Sequence, residues 1–110
     1  MIRRPYGRVY MDDFYATRVG GTPVGSVVDA VALDAYPLED GTPEDSFALI
    51  EKAQAILDAH EVTAPIWNVE INYGVLGGAA ATTYHYSARK QASYVVRNDV
   101  LDASAGVRRV

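Results

Sequence analysis

Residues Pro65–Gly74 read PIWNVEINYG, and the reading of the fold turns on that run. It opens as an apolar strand and closes in polar side chains and a glycine. Alternate side chains along a strand share a face. Ile66, Asn68, Glu70 and Asn72 therefore fall on one side, and Trp67, Val69, Ile71 and Tyr73 on the other. The second set is apolar throughout and is expected to pack on helices. The first carries a carboxylate and two amides toward the carboxyl end. A carboxylate inside a strand is costly to desolvate unless it is hydrogen-bonded or put to use. In parallel α/β folds chemistry gathers at the carboxyl ends of the strands. Glu70 is therefore the first candidate for a functional side chain.

Upstream, Val27–Tyr36 (VVDAVALDAY) is nearly continuous in small and branched apolar residues, as a parallel strand covered on both sides should be. Asp34 and Tyr36 stand at its carboxyl end, and Pro37 stops it. Between the two strands, Thr42-Pro43-Glu44-Asp45 reads as a helix start, with Thr42 as N-cap, Pro43 at the first helical position and acids in the first turn. Phe47, Ile50, Ala53, Ile56 and Leu57 follow at helical spacing. The helix is expected to end near His60, with Glu61 where a glycine is commoner. His60 has no second His or Cys at metal-ligand spacing and is read as a helix-end side chain.

Downstream of the Glu70 strand, Gly74–Thr83 reads as a loop suited to the rim or lid of a site, and His85 as an exposed loop residue. Ser87 is the expected N-cap of a second helix. Ala88, Ala92, Val95, Val96, Val100 and Ala103 form its apolar stripe, and Gly106 its C-terminal cap. Val107–Val110 reads as the onset of a third strand. At the other end, Met1–Tyr10 is expected to be an irregular lead-in with a short extended piece at Arg8–Tyr10. Asp12–Val19 is expected to be a brief helix capped by Asp12 and broken at Gly20-Gly21. The aromatics there are read as core cover.

The order is thus strand, helix, strand, helix, strand onset. Crossover helices of this length imply parallel strands in right-handed βαβ units. The chain has 110 residues and reads as a single α/β domain, with 1–26 as lead-in and 27–110 as the βαβαβ unit. A net charge of −4 argues against a nucleic-acid partner. No apolar run is long enough to span a membrane. There is no cysteine, hence no disulfide framework and no thiolate metal site. The basic start has no apolar segment of a signal peptide, which leaves the localisation open.

The runs VDAVALDAYP, GTPEDSFALIEKAQAILDAH, APIWNVEINYGV and QASYVVRNDVLDASAGVRRV resemble the C-terminal part of a clan A (β/α)8-barrel glycoside hydrolase of the cellulase-like or xylosidase-like kind, particularly actinobacterial ones. The resemblance covers roughly 10–110. It makes Val27–Tyr36 similar to barrel strand six, Pro65–Asn72 to strand seven and Val107 onward to the start of strand eight. The implied fold is a partial (β/α)8 barrel. The implied function is retaining hydrolysis of O-glycosidic bonds in a carbohydrate substrate, with Glu70 as nucleophile. Asn68 and Asn72 would orient Glu70 or bind hydroxyls. Tyr36 would hydrogen-bond the nucleophile or stack on a sugar, and Asp34 is the only local carboxylate that could complete a dyad. Retaining enzymes hold their two carboxyl groups about 5–5.5 Å apart. The clan's acid/base glutamate lies in an Asn-Glu pair on strand four, which has no match here, so the chain is expected to be inactive alone. No metal or organic cofactor is implied. Self-association, or a complementing barrel fragment, is the expected protein partner, because a few barrel strands leave an open edge and an uncovered face. Two other readings stand beside this one, a non-catalytic carbohydrate-binding or assembly fragment and a free-standing small α/β domain.

Overall fold

The structure is a computed structural model and describes residues 6–37, 41–73 and 86–110. The expected loop at Gly74–Thr83, Tyr84, His85 and most of the Leu38–Gly41 connection lie outside the described residues. In chain order the elements are α1 (Tyr6–Tyr15), β1 (Arg18–Val19), β2 (Thr22–Pro23), a 3₁₀ turn (Val24–Val27), β3 (Val31–Leu33), α2 (Pro43–Ala59), β4 (Ile66–Asn68) and α3 (Ala88–Ser104). The fold is mixed α/β. A two-stranded parallel sheet carries α2 as its crossover, and β1 and β2 form a separate antiparallel hairpin.

The N-terminal segment corrects the sequence expectation. The helix begins at Tyr6 rather than at Asp12 and includes the piece expected to be extended. Asp12 is inside it and caps nothing; its Oδ1 instead meets His60 Nε2 at 2.7 Å, tying α1 to the end of α2. Tyr15 turns into the core, and Phe14 packs edge-on against it with ring centroids 5.1 Å apart. Gly20 and Gly21, at φ 57° and 85°, make the tight turn between β1 and β2. Two successive positive φ values are the backbone twist that joins short antiparallel strands.

In the sheet, Val31 pairs with Ile66, Ala32 with Trp67 and Leu33 with Asn68. The ladder closes with Val31 N–H donating to Pro65 O and Val69 N–H to Leu33 O, both 2.9 Å. On the other side of β4, Asn68 N–H donates to Arg109 O and Arg108 N–H to Ile66 O, again at 2.9 Å, so the segment after α3 runs parallel to β4. The expected order of three parallel segments is therefore present, but the regular strands are far shorter than Val27–Tyr36 and Pro65–Asn72.

Helix α2 starts as its sequence dictates. Thr42 Oγ1 accepts the Asp45 amide, and Asp45 Oδ2 accepts the Thr42 amide at 2.8 Å, a complete capping box. Ile50, Ala53 and Leu57 on its inner face meet Val31, Ala35 and Ile66 of the sheet, with Tyr15 and Val62 closing the cluster. Helix α3 starts at Ser87, whose hydroxyl accepts the Lys90 amide, and ends at Gly106 with φ 79°.

Two face assignments are corrected. In β4 the side packed on the helices is that of Ile66 and Asn68, both buried; Trp67 is half-buried and Val69 is 54% exposed on the open side. The reason is register: Ile66 aligns with Val31, and both must meet the apolar stripe of α2. In α3 the expected apolar stripe faces outward, with Val95, Val96 and Val100 exposed. The buried residues of that helix are Asn98 and Asp102.

Candidate functional site

The paired strands end together, and the residues just beyond the ladder meet there. Tyr36 follows β3 by three residues, and Glu70 follows β4 by two. The Tyr36 hydroxyl donates to Glu70 Oε1 at 2.6 Å. Both side chains are exposed. Parallel pairing is what brings them together: two strands in register that run the same way present their next residues on the same rim. A phenol bound this closely to a carboxylate resists deprotonation. The hydrogen bond to Glu70, some burial, and the negative charges of Glu70 and Asp34 raise the Tyr36 pKa above its ordinary value. Asp34 is thus part of the field at this rim, as an exposed neighbour of Tyr36.

The two asparagines lie elsewhere than expected. Asn68 is 1% exposed and faces the helices, so it does not share the Glu70 rim. Its Oδ1 accepts the Ala35 amide at 3.2 Å, and its Nδ2 donates to Asp102 Oδ2 at 2.7 Å. It fixes the backbone beside Tyr36. Asn72 is exposed, and its Oδ1 accepts the amide of Tyr73 at 2.8 Å, a local turn.

Behind the rim lies a buried polar network that sequence reasoning missed. Tyr73 OH donates to Asn98 Oδ1 at 2.7 Å, and Asn98 Nδ2 donates to Asp102 Oδ2 at 2.9 Å. Ser46 Oγ on α2 donates to Ala35 O at 2.7 Å, and Gln91 Nε2 donates to Tyr73 O. Burial is the main cause that pushes the Tyr73 phenol up to about 12. The ring also packs edge-on against Tyr94, centroids 5.3 Å apart. The available signal was spacing: Gln91, Asn98 and Asp102 share one face of α3, a polar stripe opposite Val96 and Val100.

Among the described residues no group of three or more His, Cys, Asp or Glu side chains is arranged to hold a metal ion, and no helix is long and apolar enough to cross a membrane. His60 pairs with Asp12 between α1 and α2. What the rim offers chemically is one exposed carboxylate, oriented through one oxygen by a phenol, with a second acid nearby. Compared with known protein families, curated proteins and solved structures, the chain matches none.

Proposed function

We propose that the chain is a segment of a retaining glycoside hydrolase barrel, similar to strands six to eight, with Glu70 as its nucleophile. The observation that carries this reading is the Tyr36–Glu70 contact of 2.6 Å at the shared carboxyl end of two parallel strands. The third parallel segment at Arg109, on the far side of β4, adds support, since consecutive barrel strands lie side by side. In this reading the open side of the sheet, with Trp67 and Val69, is the barrel interior. Tyr36 holds Oε1, and Oε2 attacks the anomeric carbon. The bond to the leaving oxygen breaks with its electron pair on that oxygen, which takes a proton from the strand-four glutamate of a complete barrel. Water then cleaves the glycosyl ester, giving its proton to that same glutamate. Loss of general acid–base help costs about 10²–10⁴-fold, so this chain alone turns over no ordinary glycoside.

The test avoids the need for the acid. A dinitrophenyl 2-deoxy-2-fluoroglycoside has a leaving group that departs unprotonated, and the fluorine slows release of the covalent intermediate. The chain is combined with a barrel half carrying the Asn-Glu strand and treated with a panel of such sugars. Intact mass and peptide mapping should find one glycosyl unit on Glu70, absent in Glu70→Gln. An assembled barrel that takes no label, or that labels equally well in Glu70→Gln, overturns the assignment.

The assembly-fragment reading has one specific observation in its favour. Val69, Val95, Val96 and Val100 are 54%, 47%, 63% and 63% exposed, apolar side chains that a neighbouring polypeptide would cover. That surface fits a chain completed by another polypeptide, whether or not the completed barrel is catalytic.

A further inference from the structure

We propose that Asp102 is a proton-operated latch that ties α3 to the carboxyl ends of β3 and β4 and so governs the Tyr36–Glu70 contact. This rests on the buried network alone and holds whether or not Glu70 is a glycosidase nucleophile. The Asp102 side chain is 0% exposed. Both of its amide donors, Asn68 Nδ2 and Asn98 Nδ2, land on Oδ2. Oδ1 is buried and meets no hydrogen-bond partner among the described residues. A desolvated carboxylate with one oxygen unsatisfied is costly, and placing a proton on the empty oxygen removes both the charge and much of that cost.

Among the described residues no basic side chain contacts the Asp102 carboxyl. Asp99, three residues earlier on α3, adds a like charge. Among the described residues the other ionisable group in the network is the Tyr73 phenol, whose ionisation Asp102 and Glu44 both oppose. Glu44 on α2 and Arg97 on α3 are engaged with each other. From the segment after α3, Val107 contributes its amide to the main-chain carbonyl of Asp102, and Arg108 and Arg109 are exposed. Burial raises the Asp102 pKa against the lowering effect of the two amides.

The connection to the rim is short. Asp102 holds Asn68; Asn68 holds the Ala35 amide; Ala35 adjoins Tyr36, and Asn68 is two residues before Glu70. Ionisation draws the carboxylate toward water and loosens the grip of α3 on both strand ends. The sign follows from linkage. The folded-state value is raised, so the stabilisation is complete below the ordinary Asp value of about 3.9 and declines as pH rises through the raised one.

The test is a pH titration of the full chain by NMR from about pH 3 to 9, spanning the ordinary carboxylate range. The Asp102 carboxyl carbon and the Ala35 amide are followed together. Both should titrate with one shared midpoint above the ordinary Asp value, and the Ala35 response should vanish in Asp102→Asn, which mimics the protonated form. Asp102→Leu, which offers no acceptor to the two amides, should lose stability at every pH. A carboxyl midpoint at or below the ordinary value, or an Ala35 shift that persists unchanged in Asp102→Asn, overturns the latch. If Asp102→Asn does not fold, the midpoints in the native chain decide alone.

Discussion

At Glu61 the backbone is left-handed, with φ 57°, and the turn it makes is otherwise well formed. Glu61 N–H donates to Asp58 O and Val62 N–H to Leu57 O, the paired bonds of a helix C-terminal motif that usually places glycine at this position. Gly106 fills the equivalent position after α3, where Gly106 N–H donates to Ala103 O and Val107 N–H to Asp102 O. A side chain in this conformation costs about 1–2 kcal/mol, partly offset by the extra freedom glycine has when unfolded. Glu61→Gly should therefore stabilise the chain by about 1 kcal/mol in urea denaturation; no gain would mean that Glu61 makes a compensating contact. Gly25 is constrained differently. A Cβ there would lie 2.4 Å from Val62 Cγ2, a buried and stiff side chain. Gly25→Ala should cost roughly 1–3 kcal/mol by the same assay, and a neutral result would show that the 3₁₀ turn moves freely. The Glu61 anomaly was legible from position along the chain, and the Tyr36–Glu70 hydrogen bond is one of the two roles that the resemblance implies for Tyr36. The sequence did not reveal the role of Asn68, which depends on which face of β4 the helices cover.

The starts of α2 and α3 were legible, and those of α1 and the strands were not, for a physical reason. Thr42, Pro43 and Asp45 start α2, and Ser87 starts α3, through bonds made within a few residues. Such local chemistry survives without knowledge of the tertiary fold. Thr42→Ala and Ser87→Ala should each lower stability by about 1 kcal/mol. Helical circular dichroism with urea titration would check this, and the larger loss is expected at Thr42, where the reciprocal bond to Asp45 goes too. Strand length and facing depend on a partner. Within the apolar runs Val27–Tyr36 and Pro65–Asn72, regular pairing is confined to Val31–Leu33 and Ile66–Asn68. In α3, hydrophobic spacing identified a stripe but not its direction. Asn98 and Asp102 can be inward because Tyr73, Asn68 and each other bond them, Asp102 through Oδ2 alone, and this leaves Val96 and Val100 outside. A buried polar face with its bonds made is as compatible with packing as an apolar one.

The radius of gyration is 15.7 Å, against about 13 Å for a compact domain of this length. Helices cover one side of the sheet, and Val69 is exposed on the other. Its acid response should be dominated by carboxylates at the start of α2. The Arg97 hydrogen bond is the main cause that lowers Glu44, and the Thr42 amide is the main cause that lowers Asp45. Groups with lowered values stabilise the fold above the ordinary carboxylate range, and that contribution is lost as pH falls through the folded-state values. Thermal melts should thus show an acid limb below about pH 4, shallower in Asp45→Asn; an unchanged limb would place the acid sensitivity elsewhere.

The measurement that tests the barrel-segment account most directly is light scattering on the chain eluting from size exclusion, with a thermal melt of the same peak. If the chain is the barrel segment proposed above, the mass is that of two or more chains, or the single chain shows no cooperative transition, because the exposed sheet face and the valines of α3 would then lack their cover. A monomer with one sharp, cooperative melt would contradict it, and Glu70 and Tyr36 would then belong to a small α/β domain complete in itself.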